Sequence, residues 1–244
     1  PNLKADFIMA NPPFNYHPWG QENLKTDLRW KYGVPPAGNA NFAWIQHMLY
    51  HLAPNGKIGL VLGNASLTSK TGGEGDIRRK IIAGDPEKPS LQGDKVECII
   101  SLPPQMFYSV TLPVTLWFFS NNKKNKGKVL FIDAEKMGYM SDKTHKAFSD
   151  EDIELLSNLY SLYLDDKLKD KKGFYAVRTL KEIESKKFVL TPSVYVGTEE
   201  TKGDTFVFET EMKSVTDKLK KCLKDNSDLE ITLRKKLKDI GYDI

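Results

Sequence analysis

Four consecutive residues, Asn11-Pro12-Pro13-Phe14, carry the groups best suited to chemistry in this chain. The prolines have no N–H to donate and their rings fix φ, so the segment is stiff and offers acceptors only. The Asn11 side-chain carbonyl and the backbone carbonyl of Pro12 can together hold both hydrogens of an amino group on a planar ring. Such a nitrogen is a poor nucleophile because its lone pair is delocalised, and the two hydrogen bonds draw it towards a tetrahedral geometry. Phe14 then offers a face on which an extruded base can stack. The competing reading is an ordinary Pro-Pro turn after a strand, until context decides.

Other residues have two readings each. Trp19, Trp30 and Tyr32 lie in a long polar loop, Asn15 to Asn41, where aromatics either stack on nucleic acid or anchor the loop itself. Arg78 and Arg79, with Lys80, can meet phosphates or form a solvated helix face. Asn41 stands where a helix N-cap is expected, and His47 inside that helix reads as a satisfied helix histidine. Asn64 and Ser66 either line a cleft or serve turn chemistry. Lys123, Lys124, Lys126 and Lys128 read as a hairpin tip.

These residues need a scaffold. A short strand, 7–10, delivers the tetrapeptide, and apolar residues from Phe42 to Leu49 recur at helical spacing. A turn is expected at Pro54-Asn55-Gly56, then a strand from Lys57 to Leu62 without polar alternation, as in a sheet buried on both faces. Gly72-Gly73-Glu74-Gly75 opens a helix to Ala83, and strands are expected at 96–102, 112–120 and 128–132. Helices are predicted at 150–164 and 180–185, and an extended segment at 188–196. From Glu209 on, Met212, Val215, Leu219, Cys222, Leu229, Leu233, Leu237 and Ile240 alternate in steps of three and four, with Asn226 at one seam position. That is a heptad helix, either docked on its own domain or serving as an arm for a partner. The divisions expected are 1–138, a mixed extension 139–204, and a helical arm 205–244.

Composition limits the possibilities. The chain has 244 residues, 40% of them apolar, enough for a sizeable core, and a net charge of only +4. Contact with nucleic acid must then come from local clusters rather than from the overall field. Cys98 and Cys222 lie far apart without metal-type spacing, which suits a reducing cytoplasm and argues against zinc or a disulfide framework. No apolar run reaches membrane-spanning length. The first residue is Pro and a strand begins almost at once, which reads as the C-terminal portion of something longer.

The Asn-Pro-Pro-Phe tetrapeptide resembles the signature of methyltransferases acting on planar amino or amide nitrogens, chiefly adenine N6. The ordered set NFAWIQHML (41–49), NGKIGLVLGNASL (55–67), GGEGDIRRKII (72–82), VECIISLPPQMFYSVTLPVTLWFFSNNK (96–123) and KVLFIDAEKMG (128–138) resembles the modification subunit of type I restriction–modification systems. The similarity runs on through FYAVRTLKEIESKKFVLTPSVYV to the terminal helix ending in IGYDI. The resemblance implies an α/β fold: the C-terminal half of a Rossmann-like, S-adenosylmethionine-dependent methyltransferase sheet, with a helical heptad tail. It implies adenine-N6 methylation of double-stranded DNA after base extrusion, with Asn11, Pro12, Pro13 and Phe14 catalytic and Asn11 also beside the cofactor. It further implies a specificity subunit, a restriction subunit and a second modification subunit as partners, and no membrane. In this family the strand and Gly-rich turn that bind the cofactor precede the Asn-Pro-Pro-Phe strand, so the chain alone is expected to be inactive. The rival readings are methylation of RNA or of protein glutamine, and an assembly module without catalysis.

Overall fold

The computed structural model describes residues 3–107, 112–198 and 204–239. Residues 1–198 belong to one compact unit and 199–244 to a second. In chain order the elements are β1 (Ala5–Ala10), α1 (Asn41–His51), β2 (Leu52–Gly63), α2 (Glu74–Ala83), β3 (Val96–Ser101), β4 (Val114–Ser120) and β5 (Lys128–Asp133). There follow β6 (Tyr139–Met140), β7 (Lys146–Ala147), α3 (Asp150–Leu164), β8 (Tyr175–Thr179), α4 (Leu180–Ser185), α5 (Ser193–Val196) and α6 (Asp204–Asp239).

Six strands form one sheet in the order β1-β2-β4-β3-β5-β8. The crossover through α1 makes β1 and β2 parallel neighbours, and β3 is parallel to β5. β4 runs antiparallel to both β2 and β3, between them, and β8 runs antiparallel to β5. The continuous apolar runs follow from this position: every residue of β3 is buried. On one face Phe42, Ile45, Ile77 and Ile81 of α1 and α2 pack with Ile58, Leu60, Trp117 and Phe119. On the other, Leu159 and Tyr163 of α3 pack with Cys98, Ile100, Leu130 and Ile132.

The helix ends at 150 and 180 follow from capping boxes. The Ser149 hydroxyl accepts from the Asp152 N–H and the Asp152 carboxylate accepts from the Ser149 N–H; Thr179 and Glu182 repeat the arrangement. Two local expectations are corrected. Pro54-Asn55-Gly56 lies inside β2, which advances from Leu52 to Lys57 while β1 advances only from Ala5 to Phe7, so the turn residues become a bulge. A side chain on Gly56 would stand 2.9 Å from the Ala5 carbonyl oxygen, hence glycine. The segment 188–196 is not extended throughout: it ends in α5, with backbone bonds from the Tyr195 and Val196 N–H groups to the Pro192 carbonyl. The change in sequence character near Asp133 is not a break in packing, because α3 and β8 complete this same core and sheet.

In the second unit, α6 exposes Met212, Val215, Leu219, Leu229 and Leu233 of the heptad seam, together with Leu223. Ile240, the last expected seam position, lies outside the described residues.

One polar cluster ties α3 to the sheet. Glu97 on β3 is buried, and its Oε2 accepts from the Lys57 ammonium at 2.9 Å and from the Tyr160 hydroxyl at 2.5 Å. Lys57 also donates to the Tyr160 oxygen at 2.7 Å. Burial, followed by the bond to Glu97, pushes the Tyr160 phenol well above its usual range. Tyr160→Phe should lower stability by roughly 1.5–3 kcal/mol, the worth of a hydrogen bond to a charged group, read as a lower urea midpoint at unchanged slope.

Candidate active site

The parallel register that pairs Ala10 with Leu60 brings the carboxyl end of β1 beside that of β2, at Gly63 and Asn64. That is the edge at which open α/β sheets place their sites. Asn11 leaves β1 exposed, and its amide makes no hydrogen bond among the described residues. Pro12 is half-buried and Pro13 exposed. Phe14 is half-buried against the α3-side core, its Cβ 4.0 Å from where a side chain on Gly63 would begin.

Asn15 follows with φ of 52°, a left-handed conformation that asparagine tolerates. Its N–H donates to Asn41 Oδ1 at 3.1 Å, and its own Oδ1 accepts from Asn41 Nδ2 at 2.9 Å. Asn41 is therefore not the N-cap. Ala40 holds that position, and Asn41 is a fully buried first-turn residue bound to the turn after the tetrapeptide. The Ala40 N–H donates to the Tyr16 carbonyl at 3.1 Å, closing the loop. Neither Asn15 nor this use of Asn41 was foreseen; an asparagine directly after a rigid Pro-Pro-aromatic turn was the available signal. Asn64 accepts from Thr115 Oγ1, while Ser66 Oγ donates to the Gly63 carbonyl at 2.8 Å and accepts from Trp117 Nε1 at 3.1 Å. Both residues hold the end of β2 to β4.

The loop aromatics divide. Tyr32 is a correction: it is only 7% exposed, its N–H bonds Gln46 Oε1 at 2.9 Å and its hydroxyl the Gln92 carbonyl at 3.0 Å. Burial raises its phenol to about 12, and no face is left for a base. Trp19 and Trp30 are half-buried and pack edge to face at 5.8 Å. Their indole N–H groups are spent on the Pro36 and Leu24 carbonyls, so both anchor the loop. Arg78 is also corrected. It is 1% exposed, and its guanidinium donates to the backbone carbonyls of Phe188 (2.8 Å), Ser69 (2.7 Å) and Ser66 (3.4 Å). Neither a phosphate nor solvent reaches it. Arg79 lies on the surface, paired with Asp76 at 2.9 Å. His47 is half-buried, with Nδ1 2.8 Å from the Arg29 guanidinium, which is itself paired with Asp27.

Beside Asn11 an open trough of about 650 Å³ runs along β1 and β2, lined by Phe7, Met9, Gly59, Val61 and Phe118. Phe7 is 77% and Met9 90% exposed, and among the described strands β1 has a neighbour on one side only. No aspartate or glutamate lines the trough. Asn11 is its polar group at the carboxyl edge, and Lys57 and Tyr160, already bonded to Glu97, are its other polar lining residues.

A strand ending in Asn-Pro-Pro-Phe with its asparagine exposed, parallel to its neighbour, with an antiparallel strand inserted one place further, is the C-terminal half of a Rossmann-like methyltransferase sheet. The family model of the N-6 DNA methylases matches residues 2–204, and the chain belongs to this family. It is 45% identical over 98% of its length to the type I restriction enzyme HindI methylase subunit of Haemophilus influenzae. To the MjaIX methylase subunit of Methanocaldococcus jannaschii it is 39% identical, again over 98% of its length. It spans 52% and 42% of these two relatives. The type I methyltransferase subunit from Streptococcus thermophilus superposes with a TM-score of 0.69 at 26% identity, over 81% of this chain and 39% of that one.

Two outcomes follow from the buried groups. Arg78→Met orphans three carbonyls and should cost roughly 2–3 kcal/mol in urea unfolding, while the salt dependence of DNA binding by the folded protein stays unchanged. Burial, then His51 and Arg29, holds the His47 imidazole below its ordinary value, so the unfolded chain takes up a proton first as pH falls. Stability should therefore decline as pH drops through about 6.5, and His47→Gln should remove that part of the decline in urea midpoints measured on either side.

Proposed function

We propose that this chain, which spans 52% of the length of the HindI methylase subunit, serves in a protein that transfers a methyl group to adenine N6 in double-stranded DNA. The exposed, unbonded amide of Asn11 at the carboxyl edge of β1 is the observation that carries this reading. The Asn11 side-chain carbonyl and the Pro12 backbone carbonyl accept the two hydrogens of the amine and direct its lone pair outward. Pro13 keeps the turn from relaxing, and Phe14 stacks on the extruded base. Catalysis is then positioning, with nucleophile and methyl carbon held in line, and no covalent enzyme intermediate is needed. S-Adenosylmethionine supplies the electrophilic methyl; Asn11 borders it. The trough offers no carboxylate for the cofactor's ribose. The open flank of β1, with Phe7 and Met9 bare, has room for a further strand.

Sequence choice rests with a separate specificity subunit, held partly by the exposed Leu stripe of α6. The names of the relatives, methylase subunits of restriction enzymes, support assembly with a specificity subunit, a restriction subunit and a second methylase subunit. Among the described residues no helix is long and apolar enough to cross a membrane, and the assembly is assigned to the cytoplasm.

The test is labelled methyl transfer by the full-length protein, co-purified with its specificity subunit, to DNA, RNA and protein. Label should appear as N6-methyladenine in DNA; label in RNA or protein would replace the substrate. Asn11→Ala should lower turnover on the order of 10²–10³-fold, the usual loss for one group aimed at the reacting centre, at unchanged thermal midpoint. Phe14→Ala should weaken productive DNA binding by roughly 1–3 kcal/mol through the lost stacking. Wild-type rates in Asn11→Ala would remove the assignment.

A further inference from the structure

At the sheet edge opposite Asn11, the start of β1, the C-terminal end of α1 and the start of β3 enclose a concavity of about 240 Å³. Lys4, Arg29, Lys31 and Lys95 line it, and no aspartate or glutamate does. Elsewhere in this unit several buried and half-buried cations face carboxylates: Lys57 faces Glu97, Lys80 faces Asp76 and Asp85, Lys123 faces Asp94 and Arg178 faces Asp170, while buried Arg78 is met by backbone carbonyls. Of the four in the concavity only Arg29 has an ion-pair partner among the described residues, Asp27. The Lys4 and Lys31 ammonium groups lie 5.0 and 6.0 Å from the centroid of one ring, Tyr50, and Lys4 also donates to the Tyr50 carbonyl as Lys95 does to the Asn121 carbonyl at 3.4 Å, so neutral groups rather than carboxylates meet these charges. Lys95 is half-buried and held below the ordinary lysine range, chiefly by burial, with Asp94 opposing and the Lys31 charge adding. Like charges gathered in a concave, partly desolvated wall focus a positive potential. They raise the energy of the empty site and lower it when an anion enters.

We propose that this concavity is a phosphate-binding site. Lys31 and Lys95 would contact the phosphoryl oxygens, with Lys4 behind Tyr50 adding charge. The space takes a phosphate or diphosphate but not a base pair, so a duplex could present to it only a backbone phosphate. α1, about 16 Å long at 1.5 Å per residue, separates it from the Asn11 edge, so the site is distinct from the methyl-transfer centre.

Calorimetry on the full-length protein with inorganic pyrophosphate, and fluorescence titration with a duplex lacking any methylation site, test this in parallel. The double variant Lys31→Gln/Lys95→Gln should lose at least tenfold in affinity for one of the probes. Its thermal midpoint should be equal or higher, because a like-charge repulsion has been removed. Lys31→Arg/Lys95→Arg should retain binding, and the exposed Lys31→Gln alone should show a partial loss. Loss on pyrophosphate identifies a free phosphate ligand. Loss on the duplex alone, with the slope of log affinity against log salt smaller by about two contacts' worth, identifies the DNA backbone. Unchanged affinity of the double variant for both probes, or pyrophosphate binding that ignores the charge removal while duplex affinity also holds, overturns the site.

Discussion

Two amide hydrogen bonds between Asn15 and Asn41 hold the carboxyl edge of β1 to the start of α1. Asn41 is fully buried, so an unmet amide there would cost about 1–3 kcal/mol. The left-handed turn at Asn15 is the conformation that lets both bonds form at once. With that clasp closed, the start of α1 is fixed against the end of β1, and the loop between them closes on its own tryptophans. The Asn11 amide is left without a hydrogen-bond partner among the described residues. The clasp fixes the turn beside it without using that amide.

The sheet supplies the rest of that rigidity by a different route. β2, β4 and β3 are buried together, and several polar groups among them bond across elements: Asn64 with Thr115, Ser66 with Trp117, and Glu97 Oε2 with Lys57 and Tyr160, while Glu97 Oε1 and the Ser120 hydroxyl have no partner among the described residues. Each of these bonds joins neighbouring elements, so the strand ends cannot slide independently. The end of β2, against which Phe14 rests, is thereby fixed from the β4 side as firmly as β1 is from the α1 side.

Much of this was legible in the sequence. Uninterrupted apolar runs marked the buried strands, and the helices at 150–164 and 180–185 were expected where they stand. The tetrapeptide at a strand end pointed to the chemistry directly. What was hidden lay in long-range partners. Arg78 reads as one member of a basic run, and its fate is set by carbonyls at 66, 69 and 188, which no local pattern joins. Tyr32 reads as a loop aromatic until Gln46 and Gln92 claim its polar groups. Pro54-Asn55-Gly56 has turn chemistry and makes a turn-like excursion, but the pairing of β1 with β2 resumes beyond it, so the strand continues through.

The strand that ends at Asn11 is also the sheet's bare flank. β1 offers one row of backbone donors and acceptors without a partner among the described strands, with Phe7 and Met9 standing beside it uncovered. An apolar, unprotected edge of this kind is a template for pairing with any extended chain, including another copy of itself. Whatever leaves that flank uncovered during synthesis or handling invites aggregation through the very segment that presents Asn11.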